Sequence, residues 1–179
     1  MSSVRQSVYR ARKKTQPKLP KSREETHESL TEYSLTSTNG EKMIYVNDGS
    51  SGIIMVTTNY NMRYICQSDV EIFFDGTFKY CSRFCYQLYT FLGFKNGQYI
   101  PCVFFLLPSK SKPVYLKMFQ FLIDCCKENG FTLSISSLHI DFKEAVIEAA
   151  KSTWPDVIIK GCYFHLSQAW WRKICWTSK

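Results

Sequence analysis

The hydrophobic periodicity of this chain changes once, at Pro108, and that change limits the possible folds more than any other feature. Before it, three segments are short, apolar and rich in β-branched and aromatic residues: Val70 to Phe74, Tyr86 to Phe94 and Tyr99 to Leu107. This is the pattern of sheet strands. Lys95-Asn96-Gly97-Gln98 separates the last two, and Asn-Gly is favoured in two-residue hairpins, so they are expected to run antiparallel. After Pro108 the apolar residues Tyr115, Met118, Phe119, Leu122, Ile123 and Cys126 recur at helical spacing, in a helix opened by Ser111 and Pro113 and stopped at Asn129-Gly130. A strand is expected at about Ile135 to Ile140, then a helix with Phe142, Ala145, Val146, Ala149 and Ala150 facing inward until Trp154-Pro155 ends it. Val157 to Ile159 reads as a short buried strand and Phe164 to Ile174 as a third helix. The order βββαβαβα predicts an α/β domain whose mixed sheet is antiparallel first and parallel later, with flanking helices.

Upstream of this block, Met43 to Val46 and Ile53 to Thr57 read as two short strands across the turn Asn47 to Gly52. The chain therefore divides into a disordered basic tail (1–39), a small strand-rich lead-in (40–69) and the main domain (70–179). With 45% hydrophobic residues the whole supports one core. The net charge of +8 is unevenly placed. Residues 1–23 hold eight Lys and Arg and no acid, which leaves 15 basic and 15 acidic residues in the remainder. Arg10, Arg12, Lys13, Lys14, Lys18, Lys21 and Arg23 can serve as a nuclear address or a phosphate-binding arm. A solvated leader fits the composition equally well, and a transit peptide ranks last because Pro17 and Pro20 interrupt any helix. No apolar run approaches the ~20 residues of a membrane span, and the N-terminus lacks the apolar stretch of a secretory signal. The eight cysteines are accordingly expected to stay reduced, as small hydrophobes inside apolar segments.

Two acids stand at the ends of apolar runs. Asp75 follows Val70 to Phe74 and precedes Gly76-Thr77, whose glycine lets the backbone turn. Asp141 follows Leu138-His139-Ile140 and precedes the second helix. On neighbouring strands they would meet at one edge of the sheet, where two like charges repel unless a cation lies between them. Carboxylate oxygens suit Mg²⁺ or Mn²⁺, and two such ions can clamp the attacking and leaving oxygens of a phosphodiester. Taken singly, Asp75 reads as a turn residue in an Asp-Gly hairpin and Asp141 as a helix N-cap. A third group, Gly161-Cys162-Tyr163-Phe164-His165, lies between the last strand and the last helix. Cys162 and His165 would need Cys81 and Cys85 to complete a four-ligand zinc site, a reading that ranks below a buried Cys and a polar His near the carboxylate rim.

The segments Asp75-Gly76-Thr77-Phe78, Asp141-Phe142-Lys143-Glu144-Ala145 and Gly161-Cys162-Tyr163-Phe164-His165, continued to Lys173, strongly resemble the catalytic domain of Mutator-like element (MULE) transposases. The resemblance implies an RNase H-like DDE/D core that cuts and joins DNA with two divalent metals, Mg²⁺ or Mn²⁺. It makes Asp75 the first catalytic acid, Asp141 the second, and Cys162 with His165 the family's C-x-x-H motif. It further implies nuclear localisation, transposon ends and target DNA as partners, and self-association. There are two departures. Lys143 stands where the family commonly has Glu, and no Asp or Glu follows Asp156, so the third acid is missing and the core is expected to be truncated and inactive. The competing expectation is a non-catalytic DNA-binding or scaffold protein. Trp170, Trp171 and Trp176, with Arg172 and Lys173, can contact DNA, but at helical spacing the aromatics are weighted towards the core.

Overall fold

The computed structural model describes residues 2–15, 18–32, 35–78 and 81–177, without side chains at residues 2, 3, 12, 13, 15, 164, 176 and 177. Its elements in order are α1 (Ser2–Thr15), α2 (Arg23–Glu32), β1 (Ile44–Asp48), β2 (Ile53–Val56), α3 (Asn59–Ile65), β3 (Glu71–Thr77), β4 (Gln87–Lys95), β5 (Gln98–Leu107), α4 (Lys112–Glu128), β6 (Ser137–Ile140), α5 (Glu144–Thr153), β7 (Ile158–Gly161) and α6 (Tyr163–Thr177). The seven strands form one mixed sheet in the order β1-β2-β5-β4-β3-β6-β7. β3 pairs parallel with β6, and β6 with β7, whereas the other neighbours are antiparallel.

Local sequence accounts for most of these elements. The β4–β5 hairpin closes through Asn96 and Gly97, both at positive φ (53° and 76°), as a two-residue turn of this hand requires. α4 starts at Lys112 with Pro at its first turn and stops at Asn129, with Gly130 at φ 79° satisfying the left-handed exit. Its buried stripe is Tyr115, Met118, Phe119, Leu122, Cys125 and Cys126. These pack on the face of the sheet that carries Ile72, Phe74, Tyr89, Phe91, Val103 and Phe105, and Val146, Ala149 and Ala150 of α5 complete that core. The small side chains of α5 let it sit close beside α4.

The lead-in is not separate from the main sheet. β2 pairs with β5 in register Ile54↔Leu106, and Ile53, Ile54 and Met55 are all buried. The expected disordered tail is corrected over residues 23–32. Ser22 Oγ accepts from Glu25 N at 3.1 Å, and Glu25 Oε2 accepts from Lys21 N at 2.7 Å, a reciprocal cap at the start of α2. α2 then docks on the β1–β2 hairpin. His27 Nδ1 meets Asn47 Oδ1, Asn47 Nδ2 donates to His27 O at 2.7 Å, and Arg23 Nη2 donates to Ser51 O at 3.0 Å. Ser22 to Glu25 carries the Ser-x-x-Glu signature of this cap, a signal that composition alone does not register. α1 is also helical, and residues 4–11 are exposed along it.

Three further expectations are revised. Phe142 does not face inward but is 56% exposed, ahead of α5, because the helix begins two residues later than its apolar pattern suggested. β7 is an edge strand with Ile158 62% exposed, since nothing pairs beyond it in the sheet. Trp170 and Trp171 are 62% and 69% exposed. α6 is half-buried over residues 165–168 and exposed over 169–175, so these indoles lie outside the core. The side chain of Trp176 lies outside the described residues.

Candidate active site

The site is built where the direction of the chain through the sheet reverses. β3, β4 and β5 step one way, whereas β6 and β7 are added on the other side of β3. The carboxyl ends of β3 and β6 flank this switch point, the position at which open α/β sheets form a ligand crevice. Register then decides which residues reach it. Phe73 pairs with His139 in the parallel ladder, and their rings stack at 3.9 Å on the face opposite α4. Alternation carries that face two residues on to Asp75 in β3. Asp141 follows directly on the end of β6, so the two acids stand towards the same end of adjacent parallel strands.

Neither acid has the bland role available to it. Asp75 is not in a hairpin turn but inside β3, paired with Thr90. Gly76 is paired with Tyr89 and does not turn the backbone, contrary to the expectation; it makes room instead. An added Cβ would lie 2.5 Å from Gln87 Nε2 and 2.8 Å from the Tyr89 ring. Asp141 is not the N-cap of α5, a position taken by Lys143.

The last strand and helix bring in the third group. Gly161 pairs with Ile140, and Cys162 N donates to Ile140 O at 2.9 Å, which anchors the start of α6 beside Asp141. Leu166 N donates to Cys162 O at 3.1 Å, and one turn into the helix His165 Nε2 lies 3.7 Å from Asp75 Oδ1. That distance is too long for a direct hydrogen bond but short enough for charge pairing when the imidazole is protonated. Asp75, Asp141, Cys162 and His165 are thus gathered at one rim. Arg172 and Lys173 lie exposed further along α6, and Arg10 and Lys14 are exposed on α1. The side chains of Arg12 and Lys13 lie outside the described residues.

Two features of the rim had no counterpart in the sequence reading. Lys143 Nζ lies 3.0 Å from Asp141 Oδ2 and 4.9 Å from the centre of the Phe78 ring. On the opposite face of the sheet, Tyr115 Oη donates to Gln87 Oε1 at 3.2 Å. The Tyr89 hydroxyl and Gln87 Nε2 are buried with no hydrogen-bond partner among the described residues. Burial, followed by Tyr115 and the charges of Asp141 and Asp75, holds the Tyr89 hydroxyl well above its usual pKa, so it stays a neutral donor.

The residues fit a hard divalent ion in part. Asp75 is exposed and Asp141 follows the adjacent strand, and both supply oxygen ligands of the right chemistry. Lys143 already engages Asp141, however, and among the described residues no three His, Cys, Asp or Glu side chains converge to hold a metal. The alternative four-ligand zinc cluster is not assembled there either. Burial and Cys85 push the Cys81 thiol up to about 11, away from the thiolate form that zinc takes.

A model of the MULE transposase domain matches residues 71–169, more than half of the chain. The match runs from the first residue of β3 into α6 and so includes both carboxylates, Lys143, Cys162 and His165. No curated protein and no solved structure shows significant similarity.

Proposed function

Since the chain belongs to the MULE transposase domain family, we propose that its carboxylate rim is a DDE/D-type site for DNA, with Asp75 the first acid and Asp141 the second. The family gives a transposase-related function and DNA as the general partner. The finer reading is supported by one observation above the rest: Asp75 in β3 and Asp141 just past β6 stand towards the same end of adjacent parallel strands, at the sheet's switch point. The strand order β5-β4-β3-β6-β7, with β3, β6 and β7 parallel, is compatible with the RNase H-like architecture proposed for this core.

In this reading Asp75 and Asp141 would hold Mg²⁺ or Mn²⁺, and the bound ion would supply Lewis-acid stabilisation of phosphodiester oxygens. His165 stands 3.7 Å from Asp75, and the backbone N–H of Cys162 ties the helix that carries His165 to the end of β6. Exposed Lys and Arg on α1 and α6 would neutralise backbone phosphates, an attraction that weakens as salt rises. Action on nuclear DNA would call for localisation to the nucleus, and joining two DNA ends would call for self-association.

The test is cleavage of labelled duplex DNA in Mn²⁺ by the full chain, with Asp75→Asn and Asp141→Asn in parallel. Cleavage that both variants lose supports the reading, and cleavage that both retain overturns it. Absence of cleavage together with salt-sensitive DNA binding favours a second reading, a non-catalytic DNA-binding or scaffold protein. The lysine seated on Asp141 is the observation that favours this second reading.

A further inference from the structure

Lys143 is held from both ends. Its backbone is the N-cap of α5. Its ammonium group is fixed between the Asp141 carboxylate at 3.0 Å and the face of Phe78 at 4.9 Å, with 27% of the side chain exposed. A freely solvated lysine keeps its rotamers, whereas this one gives them up for an ion pair and a cation–π contact. The two partners come from the two motifs that carry the site, because Phe78 follows Asp75-Gly76-Thr77 and Lys143 follows Asp141-Phe142. An ammonium in this place uses a carboxylate oxygen that a divalent ion would need, and it repels such an ion from the rest of the rim. Glu144, the next acid in the chain, is exposed in the first turn of α5, where it favours the helix N-terminus.

We propose that Lys143 is a tethered cation of the carboxylate rim, which neutralises Asp141 and competes with divalent metal for it. The inference rests on the reading of Asp75 and Asp141 as metal-ligating acids. It adds that a phosphate backbone can approach this rim with one of the two negative charges already compensated and no metal required.

The experiment is a Mn²⁺ titration of the full chain, followed by the electron paramagnetic resonance signal of the free ion. Wild type is compared with Lys143→Gln, Lys143→Arg, Asp75→Asn and Lys143→Gln combined with Asp141→Asn. Removing the like charge at contact range is expected to tighten Mn²⁺ binding about tenfold. Lys143→Arg keeps the charge and should stay at the wild-type affinity, and Asp141→Asn should erase the gain. Phe78→Leu leaves the lysine charge in place but removes its aromatic anchor, and should give a smaller tightening, which serves if Lys143→Gln folds poorly. Equal affinity of wild type and Lys143→Gln, with binding still lost in Asp75→Asn, overturns the role of Lys143 and leaves the carboxylate reading intact. A gain that survives Asp141→Asn also overturns it. No saturable binding in any variant overturns both.

Discussion

Replacing Gly76 by Ala adds one methyl group on the buried face of β3, directly behind Asp75. The new Cβ would stand 2.5 Å from Gln87 Nε2 and 2.8 Å from Cδ2 and Cε2 of Tyr89, whereas unstrained carbon contacts lie at about 3.5–4.0 Å. Neither neighbour can swing into solvent, since Gln87 is 0% and Tyr89 1% exposed. Tyr89 is further enclosed by Phe74, Phe91 and Tyr115. Relief therefore needs a shift of roughly 1 Å in β3 itself, the strand that carries Asp75. Overpacking a filled core costs about 1–3 kcal/mol, and the lower backbone entropy of Ala returns about 0.5–1 kcal/mol. The expected net loss is about 1–2 kcal/mol, or a melting temperature lowered by roughly 2–8 °C for a chain of this size. Urea unfolding with an unchanged slope measures it. Gly49→Ala is the internal control, because its Cβ would meet only His27 Cγ at 3.9 Å, and it should stay within about 0.5 kcal/mol of wild type. If Gly76→Ala were as stable as Gly49→Ala, Gln87 and Tyr89 could not be packed beneath the first acid, and the account of the Asp-Gly motif would fail.

Three more outcomes are expected. Hydrogen bonds from Lys117, Ser50 and Ser51 hold the Asp48 carboxyl far below its usual range, and Lys117 Nζ lies 2.8 Å away. Its folded-state pKa is below the unfolded value of about 3.9, so its contribution is present above about pH 4 and is lost as pH falls through the folded value. Unfolding at about pH 6 and pH 2.5 should accordingly show a smaller acid-induced loss in Asp48→Asn than in wild type; equal losses would show that Asp48 is not engaged. Thr57 Oγ1 donates to Cys102 O at 2.8 Å in a buried position, so Thr57→Val should cost about 1 kcal/mol in urea unfolding. The loss is limited because Asn61 Nδ2 also reaches that carbonyl, at 3.2 Å. Trp170→Ala and Trp171→Ala should each change stability by less than about 0.5 kcal/mol, as expected for exposed side chains; a larger loss in either would return that indole to the core.

The structure also alters how the basic arm should be tested. Ser22 and Arg23 belong to the fold, the first capping α2 and the second bonding Ser51 O. A truncation meant to remove only charge should therefore stop before Lys21. If DNA affinity and its salt dependence persist after such a truncation, the rim and α6 carry the binding; if they collapse, the arm does.

Much of this protein was legible without coordinates. The strands β3 to β6 and the helices α4 and α5 follow from apolar period, and the β4–β5 turn follows from Asn96-Gly97, because each depends on backbone preferences within a few residues. Asp75 and Asp141 could be placed at strand ends for the same reason. Polar composition concealed α2, which makes contacts with Asn47 and Ser51, twenty and twenty-eight residues away. Apolar composition misplaced Phe142, Ile158, Trp170 and Trp171, since hydrophobicity states a preference for burial but not whether another element arrives to cover the residue.

The site shows the same division. The sequence by itself determined the two acids, the lysine that follows the second, the glycine beside the first and the Cys-x-x-His segment. The tertiary structure decided that the acids stand on adjacent parallel strands, through the register Phe73↔His139, and that His165 approaches one acid while Lys143 seats on the other. It also decided that Gly76 serves packing rather than turning. Apart from the local Lys143–Asp141 pair, these are contacts between strands and helices far apart in the chain, and they are settled by register and close packing, which no local pattern encodes.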